Sequence, residues 1–418
     1  MKKIFSVTVL LLVLISCNAP SKLELEDQTI VSFSNTNGIP SNLPSMPKAD
    51  VFATFNNAYQ LLADDNSKIG HDDPKNNDKY FVATILSAKS TLDCAFFDVQ
   101  EDEIVDALIR AKNNGVKVRV VTDSDNMKDK DNPSLPRVSI KKLTDAGIPI
   151  IGDNRNPFMH HKFMVVDNNA IWHGATNPTT RGMFEHNSNS VYVKSEQLAK
   201  NFTNEFNTMF EKNDFSSPRE GKVPFPSINI GDVNIKTFFS PMGGAKKAIL
   251  DELSKAKKSI KFMAFSFTDS DMASVMANKK AAGIKVEGVY DQCLNGQYST
   301  FRFLFSKGVQ VMTDGNQALM HSKTMIIDDK VVINGSYNFS KNAETNNNED
   351  ILIISSTSLA KNFIEEYNKV KKAALTHDNI PPYNHPACQH EDPNVRLPKN
   401  STNIASTSDI PDSIKYEL

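Results

Sequence analysis

The chain has 418 residues, of which 39% are apolar and 23% are charged. These values are ordinary for a globular protein, and the length suggests two domains or one large domain. The formal net charge of -2 counts against a strongly basic, polymer-binding protein, although it leaves room for a local basic cleft.

The first 17 residues have the pattern of an export signal. Two lysines precede an apolar run from Ile4 to Ile15, which is too short to span a bilayer, and Cys17 follows this run. The stretch LISC resembles a bacterial lipobox, in which the cysteine becomes the lipidated first residue. An ordinary cleaved signal and an uncleaved anchor are the alternatives. We therefore expect an exported, membrane-anchored lipoprotein at the bacterial cell envelope, and Asn18 fits the outer membrane.

Composition divides the remaining chain into two units separated by low-complexity segments. Residues 18–50 are rich in Ser, Asn and Pro, which is typical of a flexible tether. We predict a first domain over 51–215, a linker over 216–234 and a second domain over 235–375. The tail 376–418 has few apolar residues and carries no recognisable chemistry.

Both units repeat one pattern of predicted elements. In the first unit, a helix leads to an apolar strand, then to an amphipathic helix that ends at Gly115 and to a strand that ends at Asp123. The second unit repeats this order, with Gly283 and Asp291 at the matching places. The pattern predicts an α/β fold. It is a tandem duplication with a mostly parallel sheet flanked by helices, related by a pseudo-two-fold axis.

A motif near the end of each unit carries the chemistry, HHKFMVVD at 160–167 and HSKTMIID at 321–328. Each motif is followed by Gly-x-x-Asn and reads as a strand, a turn and a return strand, which predicts a hairpin. The two copies supply the same residue types in the same order: His160, Lys162, Asp167, Gly174 and Asn177, then His321, Lys323, Asp328, Gly335 and Asn338. Strand alternation puts the motif His and Lys on one face. It puts the motif Asp on the other face, which favours a structural role for that aspartate.

One copy of the motif provides half of a site for a phosphodiester. Ammonium and amide groups suit the non-bridging oxygens of a phosphate. Displacement at phosphorus needs a nucleophile on one side and a proton donor on the leaving oxygen, and an imidazole can serve as either. Two copies that face each other supply both groups. We therefore expect one shared active site within the chain, which requires no oligomer.

On these motifs the chain resembles the phospholipase D superfamily, whose hallmark is a double His-x-Lys-x-x-x-x-Asp motif. The resemblance covers about residues 80–215 and 235–372. It implies a reaction that needs no metal or other cofactor and that passes through a covalent phosphohistidine. It further implies His160 as the nucleophile and His321 as the acid and base, with the motif lysines and asparagines around the phosphate.

The two copies differ at positions that support the site. Ser336 supplies a hydroxyl that the first copy lacks, because Ala175 stands there. Family members often place an acidic residue after the motif asparagine to orient a catalytic histidine, and Glu349 fits this role. In the first unit Asn189 aligns with it, which predicts an amide behind one imidazole and a lower basicity for that imidazole.

Rival sites are weakly supported. A metal site would need His160, His161, His173 and His186, but these histidines lack an H-x-x-x-H or carboxylate pattern. The remaining cysteines, Cys94, Cys293 and Cys388, fit no zinc motif. We interpret them as small buried residues and one cysteine in the tail, although an exported protein is able to pair two of them.

The sequence favours hydrolysis, or alcohol exchange, at the head-group phosphodiester of a phospholipid at a membrane surface. Two alternatives stay open: a metal-independent endonuclease that cuts nucleic acid on the same scaffold, and a non-catalytic surface binding module. The intact His and Lys pairs count against the binding module. The near-neutral charge counts mildly against the endonuclease.

Overall fold

The structure, a computed structural model, describes residues 31–32, 42–56, 58, 73, 75–316 and 318–376. The predicted signal with Cys17, and the tail beyond residue 376, lie outside the described residues. Within the described part, no helix is long and apolar enough to cross a membrane.

The first unit is a seven-stranded sheet with helices packed against it. Its elements in chain order are β1 (Val31–Ser32), β2 (Asn42–Leu43), β3 (Val51–Phe55), α1 (Asn77–Ser87), β4 (Thr91–Phe96), α2 (Asp102–Asn113), β5 (Lys117–Thr122), a 3-10 helix (Ser124–Met127), α3 (Val138–Asp145), β6 (Ile150–Gly152), β7 (Lys162–Val166), β8 (Ala170–Gly174), α4 (Thr180–Phe184), β9 (Asn189–Lys194) and α5 (Glu196–Phe210). The strand order is β3-β9-β8-β7-β4-β5-β6, while β1 and β2 form a separate ribbon.

The second unit repeats this arrangement in an eight-stranded sheet. Its elements are β10 (Ser227–Ile230), β11 (Val233–Ser240), α6 (Ala245–Lys255), β12 (Ser259–Ala264), α7 (Ser270–Ala281), β13 (Lys285–Tyr290), α8 (Phe301–Ser306), β14 (Gln310–Thr313), β15 (Lys323–Ile327), β16 (Val331–Gly335), α9 (Lys341–Thr345), β17 (Glu349–Ser355) and α10 (Thr357–Thr376). The order is β10-β11-β17-β16-β15-β12-β13-β14, so β11 takes the place of β3 and β10 adds an edge strand.

The predicted tandem α/β duplication is confirmed, and both sheets are mixed rather than mostly parallel. In the first sheet β4, β5 and β6 pair in parallel, as the helical crossovers require. The motif hairpin then adds β7 and β8 in antiparallel fashion, and β9 and β3 continue that pattern. Gly115 and Gly283 follow α2 and α7 at φ +92° and +87°, a left-handed conformation that favours glycine at a helix end.

Two segments outside the predicted domains contribute to the folded units. Leu43 lies in the predicted tether but is only 1% exposed within the apolar core of the first unit. The hydroxyl of Thr84 donates to the sulfur of Met46 at 3.5 Å. The prediction of a flexible tether over 18–50 is therefore wrong for residues 42–46, because apolar burial fixes them. Residues 227–230 of the predicted linker form β10, which pairs with β11.

An apolar core joins the two units. Phe202 of α5 packs edge-on against Phe239 of β11, with 5.0 Å between ring centroids. On the other side, Phe55 of β3 packs against Phe363 of α10 at 5.1 Å. Burial of such side chains is the main favourable contribution to folding, so these contacts hold the units in a fixed arrangement.

The cysteines differ from the expectation in one respect. Cys94 is a free, buried side chain in β4. Cys293 follows β13 and is disulfide-bonded. The interpretation of Cys293 as a small unpaired residue is therefore wrong, while Cys388 lies outside the described residues.

Candidate active site

The two motif histidines lie at the interface between the units, each just before the first strand of its hairpin. The backbone amide of His160 donates to the carbonyl of Asn348 in the second unit at 2.9 Å. The amide of His321 donates to the carbonyl of Asn187 in the first unit at 2.8 Å. Each histidine is thus attached by its main chain to the opposite unit, and the two half-sites meet as the duplication predicted.

The motif aspartates lie at the far end of the first hairpin strand from the histidines. The carboxylate of Asp167 accepts backbone N–H groups at 2.7–3.1 Å from the residues that lead into β4: Lys89, Ser90 and Thr91, the first residue of the strand. Asp328 does the same at the start of β12, for Lys257, Lys258 and Ser259. Burial raises the pKa of each carboxyl, but these hydrogen bonds outweigh it and the net pKa is lowered. The contacts tie the hairpin to the neighbouring strand.

A buried carboxylate stands behind the imidazole of His160. Nδ1 of His160 lies 2.7 Å from Oε2 of Glu349, which also accepts the hydroxyl of Ser336 at 2.7 Å. The other oxygen, Oε1, accepts the amide of Asn347 at 3.1 Å. Because a carboxylate only accepts, Nδ1 carries the hydrogen and Nε2 keeps its lone pair.

Burial lowers the pKa of His160 to about 4, and the positive charge of the motif lysines adds to this, while Glu349 opposes it. The imidazole is therefore neutral near pH 7. A neutral imidazole with a bare Nε2 is the form that a nucleophile requires.

The imidazole of His321 has a weaker partner. Its Nδ1 donates to the backbone carbonyl of Ala175 at 3.0 Å, where His160 uses a carboxylate. Burial lowers the pKa of His321 well below its usual range, and the nearby Lys323 and His186 lower it further. The ring packs against Phe265 at 4.6 Å and against His186 at 5.6 Å between centroids.

The prediction that Asn189 occupies the place of Glu349 is wrong by one residue. Glu349 lies eleven residues after Asn338. In the first unit, the residue eleven positions after Asn177 is Ser188. Asn189 instead corresponds to the residue after Glu349, and its side chain bonds Ser322, Thr324 and Asn334. One catalytic imidazole does lack a carboxylate, but the cause is Ser188.

The two motif lysines are buried beside the histidines. Nζ of Lys162 donates to the carbonyl of His160 at 2.6 Å, and Nζ of Lys323 donates to that of His321 at 2.8 Å. Each ammonium lies over an aromatic ring, at 4.8 Å from the centroid of Phe97 and 4.5 Å from that of Phe265.

The pKa of Lys162 is lowered to about 7 by burial, although Glu349 and Asp350 oppose this. The pKa of Lys323 is lowered well below its usual range by burial and by the charge of Lys162. Burial disfavours the charged form of both lysines, so an anion bound between them, such as a phosphate, would stabilise that charged form.

The Gly-x-x-Asn segments place a matching pair of amides at the site. Oδ1 of Asn177 and Oδ1 of Asn338 are both buried and have no hydrogen-bond partner among the described residues. A side chain at Gly174 would collide with the carbonyl of Asn189, and a side chain at Gly335 would meet the main chain of the second unit. The glycines therefore allow the close backbone packing that precedes these amides.

Sequence reasoning named Glu349 and Ser336 but missed Asp350 and the aromatic side chains beside the lysines. Phe97 and Phe265 flank the lysines, and their place one residue after an apolar strand was the available signal. Asp350 stands next to Glu349 and binds His161 and His173. In the part of the chain that the structure describes, no group of three or more His, Cys, Asp or Glu side chains is arranged to hold a metal ion.

Comparison with known proteins places these motifs in context. The family described as cardiolipin synthase, PLD-like domain, matches residues 81–210 and 249–371, one match in each unit. A phospholipase D of Rickettsia typhi is 28% identical over 188 residues, which is 45% of this chain and 89% of the relative. The human mitochondrial cardiolipin hydrolase is 30% identical over 131 residues, 31% of this chain and 50% of the relative.

Among solved structures, the phosphatidylserine synthase of Haemophilus influenzae Rd KW20 aligns with a TM-score of 0.54 at 13% identity. The alignment covers 73% of this chain and 85% of that one. At this identity the likeness concerns the fold alone, and it extends across both units.

Proposed function

The chain belongs to the phospholipase D-like family of phosphodiesterases, and from that premise we propose that its substrate is the head-group phosphodiester of a phospholipid. The names of its relatives, phospholipase D and cardiolipin hydrolase, support a lipid substrate. The reaction we propose is hydrolysis, or exchange with an alcohol, through a covalent phosphohistidine.

The first step uses the lone pair on Nε2 of His160. It attacks phosphorus, the bond from phosphorus to the leaving oxygen breaks, and that oxygen takes a proton from His321. His321 is neutral in the free site, so the bound anionic phosphate has to raise its pKa before this step. The imidazole of His160 becomes cationic as the N–P bond forms, and the carboxylate of Glu349 lies 2.7 Å from its Nδ1. That contact is the observation that carries the assignment of His160 as the nucleophile.

In the second step, a new bond from oxygen to phosphorus forms and the N–P bond breaks. Neutral His321 removes a proton from water, whose oxygen attacks phosphorus, and the N–P bond returns its electron pair to His160. An alcohol in place of water gives the exchanged diester. Lys162, Lys323, Asn177 and Asn338 surround the phosphate in this scheme. Ser336 is assigned to the support of Glu349, because its hydroxyl hydrogen is donated to that carboxylate.

We further propose that Cys17 carries a lipid and that the enzyme works beside its substrate at the cell envelope. Both half-sites come from one chain, so no oligomer is needed to complete them. The full chain should incorporate a labelled fatty acid in cells, and the Cys17→Ser variant should not. Equal incorporation in the two proteins, or none in the parent, would contradict the lipid at Cys17.

The substrate test uses purified protein without residues 1–17, in the presence of EDTA, with His160→Ala as the control. We would incubate it with mixed phospholipid vesicles and, in parallel, with single- and double-stranded DNA and RNA. Release of head group and phosphatidic acid, absent in the control, is the expected result. Cut nucleic acid with intact lipid would move the protein to the endonuclease alternative. Inactivity on every substrate would favour the binding module.

A further inference from the structure

A layer of buried charged side chains lies beneath the His160 half of the site. Asp350 accepts Nδ1 of His161 on one oxygen and Nδ1 of His173 on the other, each at 2.9 Å. Nε2 of His161 lies 3.4 Å from a carboxylate oxygen of Glu205, and Arg219 donates to Glu205 at 2.8 and 3.0 Å. These five side chains, which we call the Asp350 cluster, are all at most 4% exposed.

The contacts fix the protonation of His161. His161 has a carboxylate on each ring nitrogen, and carboxylates only accept, so both nitrogens donate and the ring is an imidazolium. Burial lowers the pKa of His161, but the bonds to Asp350 and Glu205 outweigh it and raise the net value. His173 contacts Asp350 through Nδ1. The carboxylates of Asp350 and Glu205 pair with the cationic His161 and Arg219.

A chain of hydrogen bonds connects the cluster to the reacting imidazole. The amide of Asp350 donates to the hydroxyl of Ser336 at 3.0 Å, and this hydroxyl donates to Oε2 of Glu349 at 2.7 Å. The same oxygen accepts Nδ1 of His160. His161 also stands between His160 and Lys162 in the sequence. By holding His161, the cluster fixes the main chain that carries these two catalytic side chains.

The other half-site has neutral groups at the matching positions. Asn189 corresponds to Asp350, Ser322 to His161 and Asn334 to His173, each 161 residues apart in the sequence. Asn189 donates to the hydroxyl of Ser322 at 3.1 Å and accepts the amide of Asn334 at 2.6 Å. Ala175 stands where the second unit has Ser336, so this set has no counterpart of the hydroxyl that bonds Glu349.

We propose that the Asp350 cluster is a positioning device for the nucleophile, which holds Glu349 against His160 and so makes the two half-sites unequal. The proposal rests on the phosphohistidine mechanism proposed above. Asp350, His161 and His173 are positioning residues, since they act through Glu349. The neutral set behind His321 needs no such charge, because that histidine exchanges its proton and never bonds to phosphorus.

The test transplants the neutral set into the charged half with Asp350→Asn, His161→Ser and His173→Asn in one protein. The probe is bis(4-nitrophenyl) phosphate, whose use separates this test from the choice of lipid. We expect the rate of phosphohistidine formation, measured by rapid quench, to fall about 10- to 100-fold. KM should stay within about twofold of the parent value, since no phosphate ligand is changed.

Asn189→Ala, which removes the neutral hub, is the matched control and should change the rate by less than about threefold. Thermal unfolding checks that the proteins are folded. If the triple variant does not fold, the single variant Asp350→Asn takes its place, and we expect its rate of phosphohistidine formation to fall as well. An unchanged rate in the triple variant, or an equal loss in the control, would overturn the proposal. If the parent forms no phosphohistidine at all, the proposed mechanism fails first, and that result is distinct from either.

Discussion

The two half-sites share a backbone and differ in what lies behind their histidines. Both place an imidazole and an ammonium at the end of the same hairpin, and both anchor the histidine amide to the opposite unit. Behind His160 are Glu349 and the Asp350 cluster, whereas behind His321 are a carbonyl and a set of neutral side chains. Identical catalytic side chains can thus acquire different roles through their second layer alone.

Replacing each histidine in turn tests most directly whether the two half-sites have different catalytic roles. With an activated nitrophenyl leaving group, little protonation is needed in the first step. His321→Ala should therefore still release a burst of nitrophenol equal to the enzyme present, and then stall. His160→Ala should show no burst, and steady-state turnover should fall at least about 10,000-fold. Stopped-flow absorbance measures both, and a burst in the His160 variant with none in the His321 variant would reverse the assignment.

The carboxylate behind one histidine gives the next largest effect. Glu349→Gln keeps the shape of the side chain but removes the charge that stabilises the cationic phosphohistidine. We expect kcat to fall about 100-fold. Ser188→Ala, at the matching place in the first unit, is the paired variant and should change kcat by less than about threefold, because Ser188 contacts Thr176 rather than His321. Equal losses in the two variants would mean that the half-sites are equivalent.

The unequal lysines predict a pH dependence of kcat/KM. His160 must be neutral, and its pKa is lowered to about 4, so activity should be lost as the pH falls through that value. Lys162 must be charged, and its pKa is lowered to about 7, so activity should be lost as the pH rises through that value. Lys162→Arg stays charged and should move the alkaline limb upward.

Lys323→Arg is the control for this limb. Burial and the charge of Lys162 lower the pKa of Lys323, so the two lysines repel each other. An arginine at position 323 keeps its charge, so Lys323→Arg should move the alkaline limb the opposite way, to lower pH. Profiles between pH 3 and pH 10 would test this. If the alkaline limb moves upward in Lys323→Arg and stays in place in Lys162→Arg, the required charge lies on Lys323.

Much of the fold followed from the sequence because local patterns determined it. Gly115 and Gly283 marked helix ends, and the motif turns marked hairpins, since both depend on backbone preferences of a few neighbouring residues. The mixed sheet did not follow, because nothing local to β7 specifies that it pairs antiparallel with β4.

The first layer of the site followed from the spacing of two motifs, and Glu349 followed from the family resemblance, but the pairing of Glu349 with His160 and the role of Asp350 did not. The partner of His160 lies 189 residues away in Glu349, and Asp350 likewise meets His161 across the interface. Such contacts depend on how the two units pack. The sequence itself corrects the one-residue error at Asn189, because the two motifs keep a constant offset of 161 residues and this offset pairs Glu349 with Ser188.

The smallest expected effects fall where the two halves are alike. Asp167 and Asp328 each accept three backbone N–H groups and lie away from the histidines, so Asp167→Ala and Asp328→Ala should each cost about 1–3 kcal/mol of unfolding free energy. The pKa of each carboxyl is lowered in the folded state. The stabilisation by each carboxylate is therefore present above its pKa in the unfolded chain, about 3.9. It is lost as the pH falls through its lower pKa in the folded protein.

Urea unfolding at pH 7 and pH 3 checks this, and the cost of either substitution should shrink at the lower pH. Asp329→Asn is the matched control, because Asn168 holds the corresponding left-handed turn position in the first unit and the side chain of Asp329 lies outside the backbone contacts. A difference between the two alanine variants of more than about 2 kcal/mol would mean that the asymmetry extends to the scaffold. Equal losses of unfolding free energy would confine the asymmetry to the layer behind the histidines. The aspartates that hold the two hairpins would then be equivalent, whereas the side chains behind the two imidazoles are not.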